Sequence, residues 1–170
     1  MNAGALTLIG LAAALALAVW RTGPERVEKA ARFAGRQGRD IALRLPLALL
    51  AAAFIGRLIP QDLVAGAVGP ESGLQGIVLA ALVGGIMPGG PMVSFPVALV
   101  FWQAGAGTAQ MVALLSGWSV FAMHRILAYE LPLMGWRFSA VRLLSSFFLP
   151  VLAGVLAGAA VEILDLSLTP

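Results

Sequence analysis

The residues best suited to chemistry in this sequence form the stretch GGIMPGGPMVSFP, from Gly84 to Pro96. Glycine permits backbone angles and close approaches that other residues resist. Proline lacks an amide hydrogen and stops a helix from continuing. Pro88, Gly89, Gly90 and Pro91 therefore predict a helix break. A break frees backbone N–H and C=O groups, which at membrane depth must be buried in protein or line an aqueous cavity. Transporters use such half-helix ends to present partial charges to a solute near the midplane. Ser94 supplies the only side-chain hydroxyl of the stretch, and Met87 and Met92 place polarizable thioethers on either side of the break. A structural kink at the prolines is the competing interpretation.

Further polar candidates lie downstream. Gln103 and Gln110 flank a small-residue turn, Gly105-Ala106-Gly107. Val112, Ser116, Ser119 and Met123 recur on one helical face, as a pathway lining would, although serines also pack helices closely. Glu130 lies within the apolar run Ile126 to Met134. An intramembrane carboxylate is costly and is a candidate for proton coupling, with His124 as a second titratable group. The alternative for Glu130 is an ion pair with Arg125 or Arg137. Trp102, Trp118 and Trp136 suit packing or interfacial anchoring, and Arg57 can snorkel toward headgroups. Gly154 and Gly158 form a small-xxx-small pair that suits a close helix contact, possible at a dimer interface.

These residues need helices to position them, and the composition says what kind. Of 170 residues, 60% are hydrophobic and 11% charged, and the mean hydropathy is +0.94. Soluble domains carry about 25% charged residues, so the expected class is an all-α, polytopic membrane protein in contact with the lipid bilayer. The first span is expected at 3–20. No positive charge precedes it and arginines follow, which favours a retained span over a cleaved signal. A basic amphipathic segment at 21–44 is expected along the membrane surface, then a span at 45–59. The broken segment covers 74–103, and further spans are expected at 108–128 and 143–164.

Charge decides the topology. With the arginine-rich loop inside, the loop holding Asp62 and Glu71 lies outside. One broken span would then put Arg125, Arg137 and Arg142 outside. A re-entrant hairpin, or two thin full spans, puts them inside and leaves Arg57 as the one basic residue near the outer face. Four full spans plus a hairpin, with both termini outside, is the expected arrangement.

The absence of cysteine and the single histidine exclude disulfides, thiolate metal sites and a multi-histidine metal site within one chain. No paired carboxylates, Ser/His arrangement or phosphate loop points to an enzyme, and no cofactor is implied. The net charge of +3 and pI near 10.6 would suggest nucleic acid in a soluble protein. Here the bases cluster in two segments between apolar runs, which fits orientation in a membrane and not nucleic-acid binding.

The stretch GGIMPGGPMVSFPVALVFWQAGAGTAQMVALLSGWSVFA, with Gly135-Trp136-Arg137 after it, resembles the predicted-permease family that includes the ArsP-type organoarsenical efflux permeases. The resemblance covers Gln75 to Gly158, about half the chain. It implies a permease for a small solute in a bacterial inner membrane, whose full-length relatives have two related halves. This chain is similar to one half, so the resemblance implies a homodimer. With both termini outside, the two halves run parallel and the two-fold lies along the membrane normal. Arsenical members carry cysteine near the equivalent turn. This chain has none, so thiolate chemistry with arsenic does not carry over. The alternative function is a non-transporting structural or assembly subunit of a larger membrane complex.

Overall fold

A computed structural model describes residues 3–21 and 23–165, with the side chain of Ala3 outside the description. Every regular element among the described residues is helical. The chain divides into two compact units, Met1–Arg44 and Leu45–Pro170.

The first unit holds α1 (Ala3–Trp20) and the basic first part of α2 (Pro24–Leu58). Pro24 sits at the first position of α2, where its missing N–H costs nothing. Glu28 and Arg32 pair one turn apart on the exposed surface, a contact of small energetic weight. The segment expected as a separate surface helix at 21–44 runs on into the apolar residues that follow as one helix, with Pro46 inside it.

The second unit contains the apolar end of α2, then α3 (Gln61–Val68), a 3₁₀ turn (Pro70–Ser72) and α4 (Gly73–Ile86). After these come α5 (Pro91–Gln103), α6 (Thr108–Phe121) and α7 (Met123–Arg125). A π-helical turn (Ile126–Glu130), α8 (Leu131–Ser146) and α9 (Leu149–Ile163) complete it. Its centre is α6, packed between α4 and α9. Small residues make this possible. A Cβ added at Gly84 would lie 1.9 Å from the carbonyl oxygen of Leu114, and one at Gly117 would lie 2.0 Å from that of Ala81. The backbones of α4 and α6 therefore touch directly. Gly154 of α9 meets Ile77, Ala109 and Ala113 in the same way. This helix-on-helix contact through small residues is the usual packing of membrane helices. The close helix contact expected of Gly154 and Gly158 is made with α6 of their own chain.

Large apolar side chains, by contrast, point outward. Leu49, Phe54, Leu144, Leu156 and Ile163 are all exposed. A water-soluble monomer does not present so much contiguous apolar surface, whereas lipid covers it without cost. Two helical stretches, Pro24–Leu58 and Thr108–Ile163, are long and apolar enough to cross a membrane. The pair Gln61–Val68 and Pro70–Ile86, bent by 40°, makes a third if taken as one span. Length and composition thus support two or three spans, not the four full ones expected. The reason is local: the expected first span is one of the shorter apolar helices (Gly4–Trp20), and the spans expected at 108–128 and 143–164 both fall within the single stretch Thr108–Ile163.

Candidate functional site

The Pro88–Pro91 break separates α4 from α5, as its composition predicts. Met87 ends α4 with its amide bonded to the Gly84 carbonyl, and Gly89 adopts φ +86°. That angle is accessible to glycine and strained for other residues. Gly90 caps α5 through its own carbonyl, which accepts the amides of Val93 and Ser94, and Pro91 opens the helix. Both short helices, at about 21 and 20 Å by the usual rise, stop below the thickness of a bilayer core.

The groups freed by the break are largely satisfied. The Gly89 carbonyl accepts a hydrogen bond from Trp118 Nε1 at 3.2 Å. Ser94 is completely buried, and its hydroxyl lies 3.2 Å from the Gly90 carbonyl and 3.4 Å from that of Gly89. Phe95 stacks at a tilt on Trp118, with centroids 6.1 Å apart. Met87 is buried, whereas Met92 is half-buried and lines an apolar groove of about 490 Å³ with Leu45, Leu49 and Phe95. The principal partners of α4 are α6 and α9, while α5 rests more lightly on α6. The two arms of the expected hairpin are therefore joined through α6.

The other end of α5 is also irregular. Gly105 adopts φ +93°, and the Gly107 amide donates to the Val68 carbonyl at 2.9 Å. Gln110 is buried and donates to Ser72 Oγ at 3.0 Å, and Ser72 in turn donates to the Gly69 carbonyl. Beside this turn is a cleft of about 550 Å³ reached by Trp102, Thr108, Gln110 and Glu162. Gln103 turns to a separate cleft of about 260 Å³ with Arg57 and Gln61.

Compared with protein-family models, curated proteins and solved structures, the chain matches none of them. The likeness to permeases stays a resemblance carried by the quoted residues.

The remaining candidates gather around the end of α6. Ser116 is half-buried and Ser119 exposed, and the face they share with Val112 stops at Ala122, where φ +25° ends the helix before Met123. Beyond the break, Arg125 Nη2 donates to the Ser119 carbonyl at 2.6 Å, and Arg142 Nη1 donates to the Val120 carbonyl at 2.8 Å. Cations at the carbonyl end of a helix are favourable both as hydrogen-bond donors and against the dipole. Glu130 holds the two together: its carboxylate accepts from Arg142 Nε at 2.8 Å and lies 3.5 Å from Arg125 Nε. Of the two partners expected for Glu130, Arg125 is present, and Arg142 stands where Arg137 was anticipated. His124 is half-buried, with Nδ1 enclosed and unbonded. Neither Glu130 nor His124 touches the Pro88–Pro91 break through a hydrogen bond or ion pair. Among the described residues, no cluster of His, Asp or Glu is arranged to hold a metal.

Two features escaped the sequence reasoning. Trp118 lies 29 residues from Gly89, and no local pattern links them. Arg142 lies 12 residues from Glu130, beyond a non-helical Gly135 inside α8 and outside the i,i+4 spacing that signals a pair.

Proposed function

We propose that this chain is one half of a membrane permease, working as a homodimer and moving a small solute across a bacterial inner membrane. The observation that supports it best is α5: a short apolar helix with irregular, glycine-rich backbone at both ends and open clefts beside Gln103 and Gly107. Short helices between breaks are how membrane proteins bring backbone dipoles to a solute. The proposed arrangement keeps the basic segments 21–44 and 125–142 inside and both termini outside. The crossings then fall near 3–20, 45–59, 108–128 and 143–164, and the segment 74–103 enters and leaves on one side. The two-fold of the dimer would lie along the membrane normal.

Cysteine labelling tests this without a cysteine-free background having to be built, since the wild type has none. Gly90→Cys has open space around its Cβ and Gln103→Cys faces a cleft. In sealed vesicles a permease exposes both to a membrane-impermeant maleimide. Ala3→Cys and Leu164→Cys should label from the same side, and labelling from opposite sides would discard the topology.

A specific observation favours the second function. Ser94 is completely buried and Trp118 occupies the Gly89 carbonyl, so the centre of the break is filled by protein. That is what a structural or assembly subunit would need. In that case Ser94→Cys, at the filled centre, stays unlabelled and a stoichiometric partner co-purifies.

A further inference from the structure

Ten of the eleven basic residues lie in two segments that the charge rule assigns to one side, and Arg57 is the exception. It occupies the last turn of α2 in a cleft of about 260 Å³ between α2 and α5. Small residues open the space: Ala52 and Ala104 are buried in its floor, and Gly56 brings α2 against Val100. Three polar side chains line it, Arg57, Gln61 and Gln103, and no carboxylate does.

Arg57 makes neither a hydrogen bond nor an ion pair with any described residue. Asp62, two positions after Pro60, does not come within ion-pair distance of it. Arg125 and Arg142 are different, because Glu130 compensates both. Gln61 is also the first residue of α3, whose N-cap Pro60 provides no side-chain acceptor. Asp62 in the first turn of α3 already answers the dipole at that helix start. The cleft therefore combines an exposed, unpaired guanidinium and two exposed amides able to donate, with apolar walls from Ala53 and Val100.

We infer that this cleft binds a phosphate group, with the guanidinium of Arg57 making the charge-assisted contact and the amides of Gln61 and Gln103 completing it. A planar fork of donors matches phosphate oxygens in a way that a point charge does not. The phosphate comes either from a phospholipid headgroup or from a soluble ion. The inference is independent of transport, since it concerns binding to the purified chain.

The test uses the full chain in a phosphate-free maltoside detergent. Its thermal midpoint is followed against inorganic phosphate, and separately against a short-chain phosphatidylglycerol, with sodium chloride matched for ionic strength. Saturable stabilisation by inorganic phosphate identifies a soluble ligand; stabilisation by the lipid alone identifies a headgroup. In either case Arg57→Gln should weaken binding by about tenfold or more, and Arg57→Lys should recover only part of it. Gln103→Leu, at an exposed position, supplies a second variant that should weaken binding by a smaller factor. The inference fails if neither ligand raises the midpoint beyond the chloride control, or if Arg57→Gln and Gln103→Leu both bind as the wild type does.

Discussion

The indole N–H of Trp118 donates to the carbonyl of Gly89 across 3.2 Å, so a residue of α6 fills the gap between α4 and α5. Ser94 Oγ lies 3.4 Å from the same carbonyl and 3.2 Å from that of Gly90, so its one proton is divided between the two. Two donors on one carbonyl should be energetically coupled, because loss of one lets the other tighten. Trp118→Phe keeps the ring against Phe95 and removes the N–H. It should cost about 1 kcal/mol, and Ser94→Ala a similar amount. The double variant should depart from additivity by about 0.5 kcal/mol or more, the range seen for residues in one network. Reversible unfolding in mixed micelles measures all three. Strict additivity would mean the Gly89 carbonyl is not shared.

Gly84 and Gly117 form a reciprocal contact, each placed where a Cβ would strike a carbonyl oxygen of the facing helix. Alanine is the better helix former by about 1 kcal/mol, so propensity alone predicts that Gly→Ala stabilises. Sterics outweigh it here. Separating α4 from α6 loosens the buried cluster of Ala80, Ala81, Ala113 and Leu114. Gly84→Ala and Gly117→Ala should each destabilise by roughly 1–3 kcal/mol. Gly35→Ala, with open space around its Cβ, should stabilise slightly or do nothing. If all three behave alike, the close approach of α4 and α6 is wrong.

How much of this was legible beforehand follows from which forces are local. The helix break at Pro88–Pro91, the start of α5 at Pro91 and the small turn at Gly105–Gly107 all follow from backbone rules written into those residues. So does the helical class, from the apolar composition. The number of spans was less legible. The runs expected at 108–128 and 143–164 fall within one helical stretch, Thr108–Ile163, and the first apolar helix is short; Pro150 marks the start of α9, but Ala122 carries no mark of a helix end. Partners across the fold were legible only in part. Glu130 needed a cation, and proximity in sequence suggested Arg125 or Arg137. The break at Gly135 inside α8, with φ +79° and ψ 165°, instead returns Arg142 to it. The glycines of α9 advertised a close contact but not with which helix, because a small-residue face is the same for an intrachain and an interchain partner.

Glu130 is the single carboxylate between two guanidiniums at the end of α6, so its removal leaves excess positive charge in a mostly enclosed place. Its side chain is 14% exposed, against 25% for Arg142 and 45% for Arg125. Breaking a buried pair costs about 3–5 kcal/mol, but the exposure of Arg125 lowers the figure for Glu130→Leu to roughly 2 kcal/mol. Arg125→Gln should cost under about 1 kcal/mol, and the effect should shrink with added salt. Arg142→Gln should cost more than Arg125→Gln, since Arg142 holds both the carboxylate and the Val120 carbonyl. Equal losses for the two arginines, measured by unfolding at low and high salt, would contradict this ranking.

Ala122 carries a left-handed backbone, φ +25° and ψ 63°, at the point where α6 stops. Its carbonyl accepts from Arg125 N at 2.7 Å and from Ile126 N at 3.1 Å, so the turn that follows fixes the conformation. An L-residue there is strained by about 1 kcal/mol or more, a strain that glycine lacks. Against this, glycine loses a buried methyl group and has more chain entropy to surrender. The terms are of similar size, so Ala122→Gly should be neutral or stabilise by up to about 1 kcal/mol. Ala113→Gly makes the same chemical change at a fully buried position inside α6 with ordinary helical geometry. There nothing offsets the loss, and about 1 kcal/mol or more of destabilisation is expected. A β-branched Val at position 122 should be the worst of the three, because it adds bulk to a buried site and tolerates the angle least. Unfolding free energies ordered Ala122→Gly, Ala113→Gly, Ala122→Val from best to worst would locate the strain at Ala122; a reversal of the first two would place the end of α6 elsewhere.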